Sequence, residues 1–179
     1  LSGSMTSYTR DGRERVDHAK DAACVISEAC RELKIPHAIT GFNEPFHRAT
    51  VVHYPAVTFE DVDSAKIPSL RADGNNRDGY SIRVATNELV LRPEPRKILF
   101  VLSDGLPAAS GYGSMIAYQD VRNAVLEARK KGIRTISLRF GETNYEAEFK
   151  FMYDTPVFVH DTAMLPKTLG SIFKRVLLE

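Results

Sequence analysis

Apolar residues recur at steps of three and four along RERVDHAKDAACVISEACRELK, where Val16, Ala19, Ala23, Ile26, Cys30 and Leu33 share one face. That spacing predicts an amphipathic helix. Pro36 ends it, and HAITGF (37–42) reads as a short strand. TVVHYPAVTFE (50–60) is rich in β-branched and aromatic residues but contains Pro55, which suits an edge strand or a hairpin more than a sheet centre. From Asp61 to Asn76 the chain is polar and carries Pro68 and Gly74, so a loop is expected. Helical spacing returns through Ile82, Ala85 and Leu89 and stops before Pro93 and Pro95.

KILFVLSDG holds a continuous apolar run, Ile98 to Leu102, which a strand covered by helices on both faces requires. AYQDVRNAVLEARKKG then sets Val121, Ala124, Val125 and Ala128 on one helical face, with Gly132 as its stop. IRTISLRFG and PVFVH read as strands, NYEAEFKFMY as a short helix, and LPKTLGSIFKRVLLE as a closing amphipathic helix. Strands alternating with helices predict an α/β fold: a doubly wound, mostly parallel, Rossmann-like sheet with helices on both faces and one antiparallel edge strand. Residues 1–179 form a single domain on this reading. The first strand of such a sheet lies at its centre, beside the fourth. None precedes the first helix here, so that strand is expected upstream of Leu1, this chain being the C-terminal part of a longer protein.

A formal net charge of +1 gives no pull toward nucleic acid. The one basic cluster, Arg129-Lys130-Lys131, sits where a helix ends and complements its dipole. No apolar run approaches the ~18 residues of a membrane span, and no secretory pattern is seen. Cys24 and Cys30 lie on one helix and face different directions, so neither a disulfide nor a metal pair is expected, and a cytoplasmic setting fits. The five histidines lack zinc-site spacing. No GxSxG, GxxxxGK[ST] or GxGxxG motif is present.

Three polar segments remain: Ser2-Gly3-Ser4, Asn75-Asn76-Arg77-Asp78-Gly79 and Ser103-Asp104-Gly105. Singly, each has an ordinary reading: solvated serines, a helix cap at Asp78, an Asp-Gly turn at Asp104. Open α/β sheets bind ligands beyond the carboxyl ends of their strands, and there the three would converge. Hydroxyls and carboxylates make an all-oxygen site suited to Mg²⁺ or Mn²⁺.

With these segments in place the chain resembles a von Willebrand factor A (VWA) domain, and the segments resemble its metal-ion-dependent adhesion site (MIDAS): Asp-x-Ser-x-Ser, a distant Thr, and an Asp after a buried strand. LSGSM leading to AKDAA, IPHAITGF, NNRDGYSIRVA and RKILFVLSDGLP are closest to the bacterial group of nitric-oxide-reductase activation proteins and cobaltochelatase CobT-type subunits. The resemblance implies metal ligands at Ser2, Ser4, Asp78 and Asp104, with the motif's first Asp falling before Leu1 and Asp78 standing where the Thr is found. It also implies a non-enzymatic interaction domain in which a partner's acidic side chain completes the metal shell. A MoxR-type AAA+ ATPase would be the partner, and a metalloenzyme such as nitric oxide reductase the target. Gly105, Tyr112 and Met115, in and beside GLPAASGYG, form the expected partner-binding rim, though simple packing is the alternative for Tyr112 and Met115. A cobaltochelatase CobT-type subunit, a Mg²⁺-dependent phosphatase-like hydrolase and a scaffold with a vestigial site are the rival readings. Ser2-Gly3-Ser4-Met5 is read as a native loop rather than a vector remnant.

Overall fold

The structure is a computed structural model that describes residues 3–9, 12–46, 50–140, 145–159 and 165–178. A one-turn 3-10 segment, Gly3–Thr6, leads to helix α1 (Arg15–Glu32) and an antiparallel hairpin, β1 (Ile39–Asn43) with β2 (Val52–Val57). Helix α2 (Asp78–Val90) follows, then β3 (Lys97–Ser103), α3 (Ser114–Lys130), β4 (Ile133–Phe140), α4 (Glu146–Met152), β5 (Pro156–Val159) and α5 (Leu165–Leu178). Strands β3, β4 and β5 form a parallel sheet in that order.

The core lies on both faces of β4, whose residues are all buried except Arg134. On one face Ile136, Leu138 and Phe140 meet Val16, Ala19, Ala22 and Ile26 of α1 and Leu169 and Phe173 of α5. On the other, Val101 of β3 packs with Val121, Ala124 and Val125 of α3 and Phe149 and Met152 of α4. The face of β4 toward α1 and α5 is apolar, whereas the alternating residues Thr135, Ser137 and Arg139 make its other face buried but polar.

Three expectations change. The central, fully covered strand is β4; β3 is the edge of its sheet among the described residues, and most of it is only half-buried. An apolar groove runs between β3 and the hairpin, with cavities of about 160 and 270 Å³ lined by Ile39, Phe42, Leu99 and Leu102 among others.

Leu33 is the second change: it is 55% exposed instead of continuing the apolar face of α1. Lys34 takes a left-handed φ of 54°, and the Ile35 amide donates to the Cys30 carbonyl at 2.8 Å. That closure turns the chain and packs Ile35 on the core in place of Leu33. Third, the polar stretch after Asp61 contains a 3-10 helix, Ser64–Ser69, capped by Asp63, whose Ile67 is fully buried with Ala56 and Val57.

Candidate metal centre

The site is assembled by backbone stitching at the carboxyl ends of β1 and β3. Gly74 adopts φ +73°, and its carbonyl accepts from the Gly3 amide at 2.8 Å. Glu44 and Asn75 exchange two backbone hydrogen bonds, each of 2.8 Å. The Asn76 amide donates to the Ala108 carbonyl at 3.0 Å, and its side-chain Oδ1 accepts from the Ala108 amide at 3.3 Å. Four distant segments are thereby joined. Arg77 closes the ring: it pairs with the buried Glu44 carboxylate, donates to the Ser110 carbonyl at 2.7 Å and lies 5.1 Å from the Tyr112 ring centre.

Ser4 and Asp104 meet across this frame, with Ser4 Oγ donating to Asp104 Oδ1 at 3.1 Å. Met5, next to Ser4, is 3% exposed and packs in the core cluster with α1. Arg15 Nη1 lies 3.4 Å from Asp104 Oδ2. Gly105 is half-buried, and a Cβ added there would stand 3.8 Å from Ser4 Oγ. Ser2 lies outside the described residues.

Asp78 begins α2 and is 3% exposed. Its Oδ1 accepts from Asn76 Nδ2 at 2.8 Å. Burial pushes its pKa up to about 6; the Asn76 hydrogen bond opposes this and the nearby Asp104 charge adds to it. Asp78 faces the apolar groove, whereas an open cavity of about 520 Å³ is lined by Gly3, Ser4, Asn76, Asp104 and Gly105. Asn76 and Asp104 line both spaces, and Asn76 is the hydrogen-bond partner of Asp78.

The expected rim separates into two kinds of residue. Tyr112 is not a surface contact: it is 8% exposed, donates to Asp120 Oδ2 at 2.8 Å and accepts from the Gly79 amide at 3.3 Å. Burial raises its pKa well above the usual phenol value. Met115 is 60% exposed. Arg15 and Arg139, both lining the cavity, were not singled out from sequence, and Asn76, which also lines it, lay in the polar segment 75–79 without being named a ligand. Arg139 gave a usable signal, because it stands next to the carboxyl end of a strand, where open α/β sheets bind ligands.

The remaining candidates are accounted for separately. Among the described histidines, Nε2 of His18 meets Thr9, that of His37 meets Ser27 and that of His53 meets Ser81, at 2.9, 2.9 and 3.2 Å; His47 and His160 lie outside the described residues. Neither cysteine is disulfide-bonded, and burial holds the Cys30 thiol up to about 11. No described helix is long and apolar enough to cross a membrane.

A profile of the Cobalamin biosynthesis protein CobT VWA domain matches residues 70–137. The uncharacterized protein YojO of Bacillus subtilis is 32% identical over 179 residues, covering 92% of this chain and 28% of that protein. Protein NorD of Brucella suis is 27% identical over 169 residues, covering 92% of this chain and 27% of that protein. This chain thus spans under a third of the length of these relatives. The VWA domain of SpRpn10 superposes with a TM-score of 0.62 at 13% identity, covering 95% of this chain and 89% of that one. The chain is a VWA domain related to NorD and CobT. Proximal thread matrix protein 1 from the mussel byssus, solved with a zinc-occupied MIDAS motif, superposes with a TM-score of 0.64 at 14% identity, covering 96% of this chain and 44% of that one.

The donors of this VWA domain fit a hard divalent cation. Ser4 and Asp104 offer a hydroxyl and a carboxylate in contact, and a second buried carboxylate, Asp78, stands close enough to feel the Asp104 charge. Oxygen-only donor sets suit Mg²⁺ or Mn²⁺. Among the described residues no group of three or more His, Cys, Asp and Glu side chains forms an alternative metal site.

Proposed function

We propose that this VWA domain is a metal-dependent protein-interaction module with no catalytic step of its own. Ser4 and Asp104 would hold Mg²⁺ or Mn²⁺, with Asp78 behind them and Ser2 offering a second hydroxyl. The cation supplies a positive charge that a partner's carboxylate can ligate. The observation that carries this reading is the Ser4–Asp104 contact of 3.1 Å, between side chains a hundred residues apart, on the wall of an open cavity. The stitched loops keep both side chains in place before any ligand arrives, which reduces the ordering cost of binding.

In its wider setting the domain would work with a MoxR-type AAA+ ATPase to activate or metallate a target such as nitric oxide reductase. The alignment with NorD across 92% of this chain supports that branch. The CobT profile over residues 70–137 keeps a cobaltochelatase CobT-type subunit as the alternative. ATP hydrolysis would belong to the partner, because this sequence carries no phosphate-binding GxxxxGK[ST] loop. The test is calorimetric titration of the full-length protein with Mg²⁺ and Mn²⁺, followed by capture of the ATPase with Mg²⁺ or EDTA. Saturable binding lost in Asp104→Ala is expected; binding that survives in a folded Asp104→Ala protein sinks the assignment.

A further inference from the structure

The cavity beside Ser4 and Asp104 is also a basic pocket. Arg15 opens α1 and Arg139 comes near the end of β4, and both line the cavity with Phe46 and Tyr145. The Arg15–Asp104 contact, at 3.4 Å, is longer than the ~2.7–2.9 Å of a strong charge-assisted hydrogen bond. Arg15 Nε is buried and has no hydrogen-bond partner among the described residues. The planar fork of Arg15, built to grip a carboxylate with two parallel bonds, is therefore only loosely engaged. Arg139 lies close by: burial and then the charge of Arg15 both lower its pKa.

Arg15 and Asp104 balance each other as a pair while that carboxylate carries no other cation. A divalent ion on Ser4 and Asp104 would neutralise Asp104 and loosen its hold on Arg15. The pocket then holds an excess of positive charge. One partner carboxylate on the metal leaves Arg15 facing the incoming chain. Phe46, 68% exposed, and Tyr145, 41% exposed, give that chain apolar surface to lie on.

We propose that Arg15, backed by Arg139, reads a second carboxylate of the partner beside the metal-bound one, so that the site selects a pair of acidic residues over a single one. This rests on the metal-dependent reading given above. The probes are short fluorescent Gly/Ser peptides carrying one Asp or an Asp-Gly-Asp pair, with anisotropy measured against the full-length protein in saturating Mg²⁺. The paired peptide is expected to bind about tenfold more tightly. Arg15→Gln should bring the ratio of the two affinities toward one. It should also tighten Mg²⁺ binding severalfold, since a competing cation has gone. Arg15→Lys keeps the charge without the fork and should retain only part of the preference; it carries the test if Arg15→Gln does not fold. Equal binding of both peptides to the wild type overturns the inference and leaves the metal reading standing. A preference that persists undiminished in a folded Arg15 variant overturns it too. Binding of neither peptide, with Mg²⁺ bound by calorimetry, overturns this inference and the partner-carboxylate reading together.

Discussion

Gly79→Ala tests whether the start of α2 is seated as described. Alanine in place of glycine inside a helix ordinarily gains ~0.5–1 kcal/mol. Here the new Cβ would overlap Asp120 Oδ2 and stand 2.7 Å from Asp120 Cγ and 3.1 Å from Tyr112 Oη. Asp120 cannot simply retreat, because Oδ1 accepts from Arg83 and Oδ2 from Tyr112, each at 2.8 Å. Moving it strands a buried phenol, at ~1–3 kcal/mol, and overpacking adds a similar amount. After the helix gain, a net loss of about 2–3 kcal/mol is expected. Urea denaturation in EDTA, followed by circular dichroism, measures it. Asp120→Ala alone should also destabilise, by ~1–2 kcal/mol, through the lost Tyr112 and Arg83 bonds. The double variant should cost less than the sum of the two by at least ~1 kcal/mol, because removing the Asp120 carboxylate frees the space that the added methyl needs. A neutral or stabilising Gly79→Ala, or strict additivity in the cycle, would refute this account of the α2 start.

Four further outcomes are expected. Gly74→Ala should destabilise by ~3 kcal/mol or more and abolish metal binding in the same titration, since its φ is +73° and its Cβ would strike the Glu44 carbonyl. Asp78→Asn should weaken Mg²⁺ binding, and unchanged calorimetric affinity would rule out a role for the carboxylate. The same variant tests a pH effect: Asp78 holds its proton up to about 6 when folded, against an ordinary 3.8, so the folded protein binds the extra proton between those values. Metal-free stability must then fall as pH rises through that window, by about 3 kcal/mol, and Asp78→Asn should remove the fall in denaturant melts at stepped pH. Leu138→Ala, at a fully buried position on β4, should cost ~3–4 kcal/mol by thermal or urea unfolding.

Periodicity found every helix and strand of the sheet because each buries one face or both, and that demand is written locally. What it could not rank was β3 against β4. β3 carries the continuous apolar run while β4 alternates apolar with polar residues, and which one is covered depends on neighbours supplied by other parts of the chain. Leu33 and Ile35 make the same point at the scale of one turn. Both are apolar at the end of α1, and the left-handed Lys34 decides which one reaches the core. Ile67 was hidden because a 3-10 turn of one buried side chain has no repeat to detect.

The site divides along the same line. Ser4 and Asp104 were readable because their chemistry is carried in short motifs beside a strand, and the structure joins them at 3.1 Å. For Tyr112 the sequence left rim contact and packing both open, and packing is what the fold adopts, because its partner Asp120 lies eight residues on, across the turn into α3. Arg15 and Arg139 were passed over because charges at the ends of elements are ordinarily solvated caps. Their meaning comes only from sharing a cavity with Asp104. What the motif could not convey is how the site stays open: Asn76 spends its side-chain carbonyl on the Ala108 amide and its side-chain amine on Asp78. One residue thus ties the loop after β3 to the buried carboxylate. Loss of that side chain should therefore loosen both halves of the site together, although Asn76 itself carries no charge.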